Sequence, residues 1–352
     1  MALGVFFFLL INILMAKIPI LAFWKWLKIL EVAALAYFVF KESTFVKKVL
    51  NRFLVWVIIY ESLIVAGQFL KQSSLGGIFW WLGERTFSLS TPGIAKGEFF
   101  GRLFLRPYGT FSHPNSLAGF SLVAIILTLP SIVKKNHLFS VLPRLKLGTI
   151  VCLLSSFSII MLTFSRAVWL TGLFLGLIIF FIYFRRKKNF SQFFLVLSVL
   201  CLLLSVFLLK MFPLDESIFR RTELNQAAFK IIEQNIFFGV GLNNFIPQLA
   251  KTLNNFGWIY WLQPVHNIYL LAAAETGLIG LSVFLWLIIL ILKKLLISIR
   301  RFGGENQALL IKNWQLLVAL TAILLTGLVD HYWLTLQQNF LLLGIIFGLG
   351  FK

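Results

Sequence analysis

The sequence predicts an all-α fold, a polytopic transmembrane helical bundle with about ten spans, and three observations predict it. Of the 352 residues, 60% are hydrophobic and 12% charged, about half the ~25% charge of a soluble domain. Mean hydropathy is +0.93. Apolar runs near or above the ~20 residues that cross a bilayer recur along the chain. These features exclude a soluble enzyme, a nucleic-acid binder and a secreted disulfide scaffold.

The spans fall near 3–16, 26–40, 53–70, 115–133, 147–163, 166–184, 191–210, 267–292, 313–329 and 333–351. The first has no clear cleavage site and reads as a retained helix, not a signal peptide. Their order reads as a single integral membrane domain, 1–352, without repeats, low-complexity tracts or linkers. Cys152 and Cys201 both fall in spans and read as small packing residues.

Charge sets the orientation. The chain carries 32 Lys+Arg against 12 Asp+Glu, a formal +20. The short loops at Lys41–Arg52, Lys134–Lys146, Arg185–Lys188 and Lys293–Lys312 fall on one side if the spans alternate, and basic loops mark the cytoplasm. Both termini are then cytoplasmic, with 18 of the 32 basic residues inside and 14 outside. Lys17, Lys25 and Lys28 are exceptions, placed outside with the first hairpin.

Two longer segments lie outside. The first, 71–114, holds an aromatic stretch at Gly76–Leu82 suited to the bilayer interface. The second, 211–265, is the one large outer loop. Thr222–Asn235 has helical spacing there, with Leu224, Ala228, Ile231 and Ile232 on one side. Trp258, Tyr260 and Trp261 indicate order near the interface.

Polar residues gather where four spans begin at the outer face: His113-Pro114-Asn115, Ser165-Arg166, His266-Asn267 and Asp330-His331. Helix N-termini carry unpaired N–H groups and partial positive charge, which favour anions. With Arg102, Arg106, Arg166, Arg220 and Arg221 they predict a site for an outer-face anion. Each residue also has a structural reading. Arg166 can snorkel, His113 can cap a helix and Asp330-His331 can be a cap plus its neighbour, His266 can be a satisfied structural histidine, and Arg220-Arg221 can be a solvated pair. The Gly239-Val-Gly241-Leu-Asn-Asn run lacks the strand and βαβ context of a phosphate loop and reads as a turn. Glu61 and Glu275 lie inside spans, where they pair with a motif arginine or sit protonated. The outside carboxylates form no paired motif, so no metal or other cofactor is expected.

Two functional classes fit: a transporter for an anionic solute or lipid-linked saccharide, and an enzyme acting on a lipid-linked phosphate. Transporters of this kind pair broken spans in repeated halves, and no repeat is found. An arginine-rich, carboxylate-poor site favours the enzyme, with arginines holding a diphosphate leaving group and a histidine taking a proton.

The order of the motifs resembles the O-antigen ligase/O-antigen polymerase superfamily of bacterial glycosyltransferases. The matching text is Arg106-Pro-Tyr-Gly-Thr-Phe-Ser-His-Pro-Asn-Ser-Leu-Ala-Gly119, Phe164-Ser-Arg-Ala-Val-Trp169, Gly239-Val-Gly-Leu-Asn-Asn-Phe245, His266-Asn267 with Gly277-Leu-Ile-Gly280, and Asp330–Gln338, over about 100–345. The resemblance implies a GT-C-like membrane glycosyltransferase in the bacterial cytoplasmic membrane, its active site on the outer face. It implies metal-independent, inverting transfer from an undecaprenyl-diphosphate-linked glycan to a glycan, lipid or protein acceptor, in cell-surface polysaccharide biosynthesis. By position, His266 takes the place of the family's proposed general base, supported by Asn267. Arg166 and Arg220 or Arg221 take the diphosphate positions, with Arg106 a further candidate. Ser165, His113, Asn115, Gly239, Gly241, Glu275, Asp330 and His331 stand as supporting residues. The chain has fewer N-terminal spans and a more compact outer loop than relatives often show.

Overall fold

The computed structural model describes residues 2–99, 101–128, 147–184, 215–252, 262–301 and 307–352. These are mostly helical, with thirteen helices and one two-stranded ribbon. They divide into two compact units: residues 1–47, 217–317 and 327–352, and residues 48–216 with 318–326. The expected span at 191–210, the Trp258–Trp261 aromatics and Cys201 lie outside the described residues.

The first unit contains α1 (Ala2–Leu14) and α2 (Pro19–Lys41), where Pro19 occupies the first turn and needs no N–H partner. It is completed by α8 (Asp215–Gln234), α9 (Phe245–Thr252), α10 (Ile268–Arg301), α12 (Tyr332–Thr335) and α13 (Gln337–Gly350). The α13 helix packs on α2 through Gly344 and Gly348. A Cβ at these positions would lie 2.7 Å from Val32 Cγ1 and 2.4 Å from the Ala36 carbonyl oxygen. This small-xxx-small spacing lets two helix backbones approach closely. The expected helix at 222–235 is longer at its N-terminus, and Leu224, Ala228 and Ile231 enter one apolar cluster with Ile232 packed against it. The expected span 333–351 is broken at Leu336, whose extended backbone separates α12 from α13.

The second unit holds α3 (Ser43–Lys71), α4 (Ile78–Trp81), β1 (Lys96–Phe99), β2 (Arg102–Leu105), α5 (Pro114–Thr128), α6 (Leu147–Leu162) and α7 (Arg166–Phe184). Here α5 is buried along nearly its whole length, against α6 and α7. The α11 helix (Gln307–Gly327) is shared in sequence by both units. Segment 71–114 departs from an all-α reading: β1 and β2 pair antiparallel, with Lys96 opposite Leu105 and Phe99 opposite Arg102. At four residues each, β1 and β2 are too short for a search for long apolar runs to find.

Among the described residues, two helices, Ser43–Lys71 and Ile268–Arg300, are long and apolar enough to cross a membrane. Only 33% and 17% of their most apolar windows are buried, the reverse of a soluble core helix. Trp56, Leu63 and Leu70 on α3 and Val283, Trp286 and Ile289 on α10 are exposed, as suits helices whose apolar sides face lipid or another apolar partner. Six further apolar helices have 10–17 residues, at most about 25 Å at 1.5 Å per residue.

Candidate active site

The four polar helix starts occur as two pairs, one inside each unit. In the first unit, Asn267 caps α10, its Oδ1 accepting the Tyr269 N–H at 2.8 Å and the Leu270 N–H at 3.0 Å. Its Nδ2 donates to the Leu328 carbonyl, 3.1 Å, which ties the helix start to the turn after α11. That turn carries Asp330 and His331. The His266 and His331 rings meet edge to face, with centroids 5.2 Å apart. Asp330 Oδ1 accepts the His331 backbone N–H at 2.8 Å, and His331 Nδ1 lies 2.7 Å from Thr335 Oγ1. Arg221, on α8, donates from Nη1 to the Val329 carbonyl at 2.8 Å.

His266 Nδ1 is buried without a hydrogen-bond partner among the described residues. Burial lowers this imidazole from its usual 6.5 to about 4. Asp330 pulls it upward, while His331 and Arg221 push it down. Burial also lowers His331. Both rings are therefore neutral near pH 7, with a lone pair each. Arg221 bears electrostatically on both histidines. Arg221 thus belongs to the histidine cluster, and its neighbour Arg220 is half-buried on α8.

In the second unit the polar residues hold the scaffold. Arg106 donates from Nε to the Thr163 carbonyl at 2.8 Å and from Nη2 to Asn115 Oδ1 at 2.5 Å. It thereby joins the turn before α7 to the start of α5. His113 caps α5: its Nδ1 accepts the Asn115 N–H at 3.2 Å, and its carbonyl accepts the Ser116 and Leu117 N–H groups. Phe164 adopts φ 51 in the tight turn between α6 and α7. Buried Ser165 then opens α7, its carbonyl accepting the Trp169 N–H, and half-buried Arg166 is the first helical residue. Gln68 uses all of its amide: Nε2 donates to Glu84 Oε1 and the Gly109 carbonyl, and Oε1 accepts the Tyr108 and Gly109 N–H groups. Glu84 accepts the Leu75 and Gly76 N–H groups, and Glu61 accepts from the Thr110 N–H and hydroxyl. Segment 71–114 is folded down onto α3 by these bonds.

The Gly239–Asn244 turn packs where α10 is broken at Gly277 (φ 66, ψ −176). The N–H groups of Val240 and Gly241 donate to the Ala274 and Glu275 carbonyls, and the Leu278 N–H to the Ile236 carbonyl at 2.8 Å. A Cβ on Gly277 would lie 2.1 Å from the Phe237 oxygen, and one on Gly239 2.4 Å from the Glu275 carbonyl carbon. These glycines serve a close backbone approach, not a phosphate cradle. Glu275 accepts the Phe245 N–H and so braces the same turn.

His266, Asp330 and His331 each offer a ligand atom, and these lie within 4.8 Å of one another. Two imidazoles and a carboxylate suit a divalent metal such as zinc, a combination that sequence spacing conceals because 64 residues separate the histidines. Thr335 lies beyond the sequence reading; its i,i+4 spacing from His331 is the signal that reaches it.

The O-antigen ligase family model matches residues 150–285, so this part of the chain is similar to that family of enzymes. Arg166, Arg221 and His266 fall inside the match; Arg106, His113, Asp330 and His331 fall outside it. No curated protein matches the chain significantly.

Proposed function

We propose, from the similarity to the O-antigen ligase family over residues 150–285, that the chain is a glycosyltransferase of the outer face of the bacterial cytoplasmic membrane, crossing it about ten times. Its donor is an undecaprenyl-diphosphate-linked glycan, and its acceptor is a hydroxyl of a glycan, a lipid or a protein. The observation that carries this reading is His266: a neutral imidazole with an unpartnered buried nitrogen, at a helix start and beside Arg221. In the reaction the acceptor oxygen attacks the anomeric carbon from the face opposite the diphosphate. The new glycosidic bond forms as the bond from carbon to phosphate oxygen breaks, with inversion. His266 takes the hydroxyl proton, and the lipid diphosphate departs with the electron pair. Arg221, with Arg220 next to it, stabilises the charge gathered on the leaving group. Arg166 keeps the phosphate-binding role implied by its position at a helix start.

The test is incubation of purified protein with a lipid-diphosphate glycan, followed by mass analysis. Release of the lipid diphosphate with a lengthened glycan identifies a polymerase, and a new acceptor conjugate identifies a ligase. Movement of intact lipid without bond cleavage refutes the enzyme and supports transport. A second reading, a metal-dependent transfer, is favoured by the His266–Asp330–His331 donor set. Turnover unchanged by EDTA supports metal-free transfer; loss restored by a divalent metal supports the second reading.

A further inference from the structure

The first unit contains a cleft of about 210 Å³, smaller than the ~300–1,000 Å³ of drug-sized ligand sites and of a size for the end of a longer molecule. Its wall is built from chemistry that suits a sugar. Trp24, 60% exposed, and Phe340 offer aromatic faces, while Asn243, Gln337 and Thr335 offer amides and a hydroxyl. Lys25 and Lys28 add positive charge. These are two of the three lysines that break the charge rule of the loops, and topology gives them no work.

The cleft is a built feature. Lys25 Nζ donates to the Leu334 carbonyl and lies 4.9 Å from the Phe340 ring centre, which fixes the ammonium and leaves it further donors. Lys28 is paired with Glu31 at 2.8 Å, while Lys25 has only the longer-range attraction of the buried Glu275 carboxylate and makes no ion pair within 4 Å among the described residues. Asn243 adopts φ 58, a left-handed conformation that asparagine takes more readily than other non-glycine residues. Thr335 joins the cleft to the histidines, since its Oγ1 lies 2.7 Å from His331 Nδ1 and the His331 ring meets that of His266.

We propose that this cleft binds the acceptor end of an acidic glycan, with Trp24 under the sugar ring and Lys25 on a carboxylate or phosphate. The inference rests on the glycosyltransferase reading, in which the acceptor hydroxyl must reach His266. Its test is calorimetric titration of the full chain in nanodiscs with three tetrasaccharides: neutral, uronic and phosphorylated. The acidic ligands are expected to bind at least about tenfold tighter than the neutral one, equivalent to ~1.4 kcal/mol. Lys25→Gln, which keeps a donor for Leu334, removes the difference; Trp24→Ala weakens all three. In the transfer assay Lys25→Gln raises KM for an acidic acceptor and leaves donor KM unchanged. A preference between the two acids upholds the inference and names the group.

Equal binding of neutral and acidic ligands overturns it. So does full discrimination in Lys25→Gln at an unchanged melting temperature. Retained binding in Trp24→Ala with impaired insertion marks a bilayer anchor and also overturns it. Acid-selective binding without transfer refutes the transferase and leaves the cleft; transfer without acid selectivity does the reverse.

Discussion

The two pairs of polar helix starts look alike in sequence and differ in what their side chains do. In the second unit Arg106, His113 and Asn115 bond to one another's elements: guanidinium to carbonyl and amide, imidazole to backbone N–H. In the first unit the backbone needs are met by Asn267 and by the Asp330 carboxylate, and a buried nitrogen of His266 is left over. A buried polar atom without a partner costs stability; Ser165 Oγ at the start of α7 is another such atom, and of the two only the neutral imidazole is a group able to take a proton. A polar residue at a helix start is thus a scaffold residue when it satisfies the backbone, and a candidate for chemistry when something else already has.

The sharpest way to break this contrast is His266→Ala. Transfer is expected to fall by at least ~10³-fold, with insertion and donor binding retained. Full activity in that variant ends the base assignment. Next is Gly277→Ala, which combines a positive φ with a carbonyl at 2.1 Å and is expected to cost ~3 kcal/mol or more. A melting temperature equal to wild type would show that the break in α10 does not need glycine. Arg106→Met tests the scaffold side. Stability should fall by about 2–3 kcal/mol through lost charge-assisted bonds, with kcat within about threefold in the folded fraction. Loss of kcat at unchanged stability would move Arg106 into the reaction.

Asp330→Asn is expected to lower kcat by ~10–100-fold, because the carboxylate raises the basicity of His266. The smallest effect is on pH dependence. His266 is neutral above its lowered pKa, so kcat/KM should hold as pH falls through 6.5 and be lost near pH 4. Asp330→Asn shifts that limb to lower pH. An acid limb at pH 6.5 in the wild type would show an imidazole exposed to water.

Much of this was legible along the chain. Apolar runs located α2, α3, α5, α6, α7 and α10, because a helix that is apolar all round needs little help from distant residues. The side of α8 bearing Leu224, Ala228 and Ile231 was legible for the same reason. Pro114 and Asn267 announced helix starts, because capping is local chemistry. The β1–β2 ribbon was not legible, since its strands are four residues each and depend on bonds from Gln72 and Tyr108 to hold their ends.

The sequence by itself determined the mostly helical build, the excess of positive charge in short loops and the residue types able to hold a diphosphate and take a proton, because composition and period act through solvent and near neighbours. Tertiary structure alone decided that Arg106 is a clamp, that Arg221 sits with the histidines, and that His266 meets Asp330 and His331. Those choices depend on carbonyls and carboxylates dozens of residues away, whose distance in space no spacing along the chain encodes.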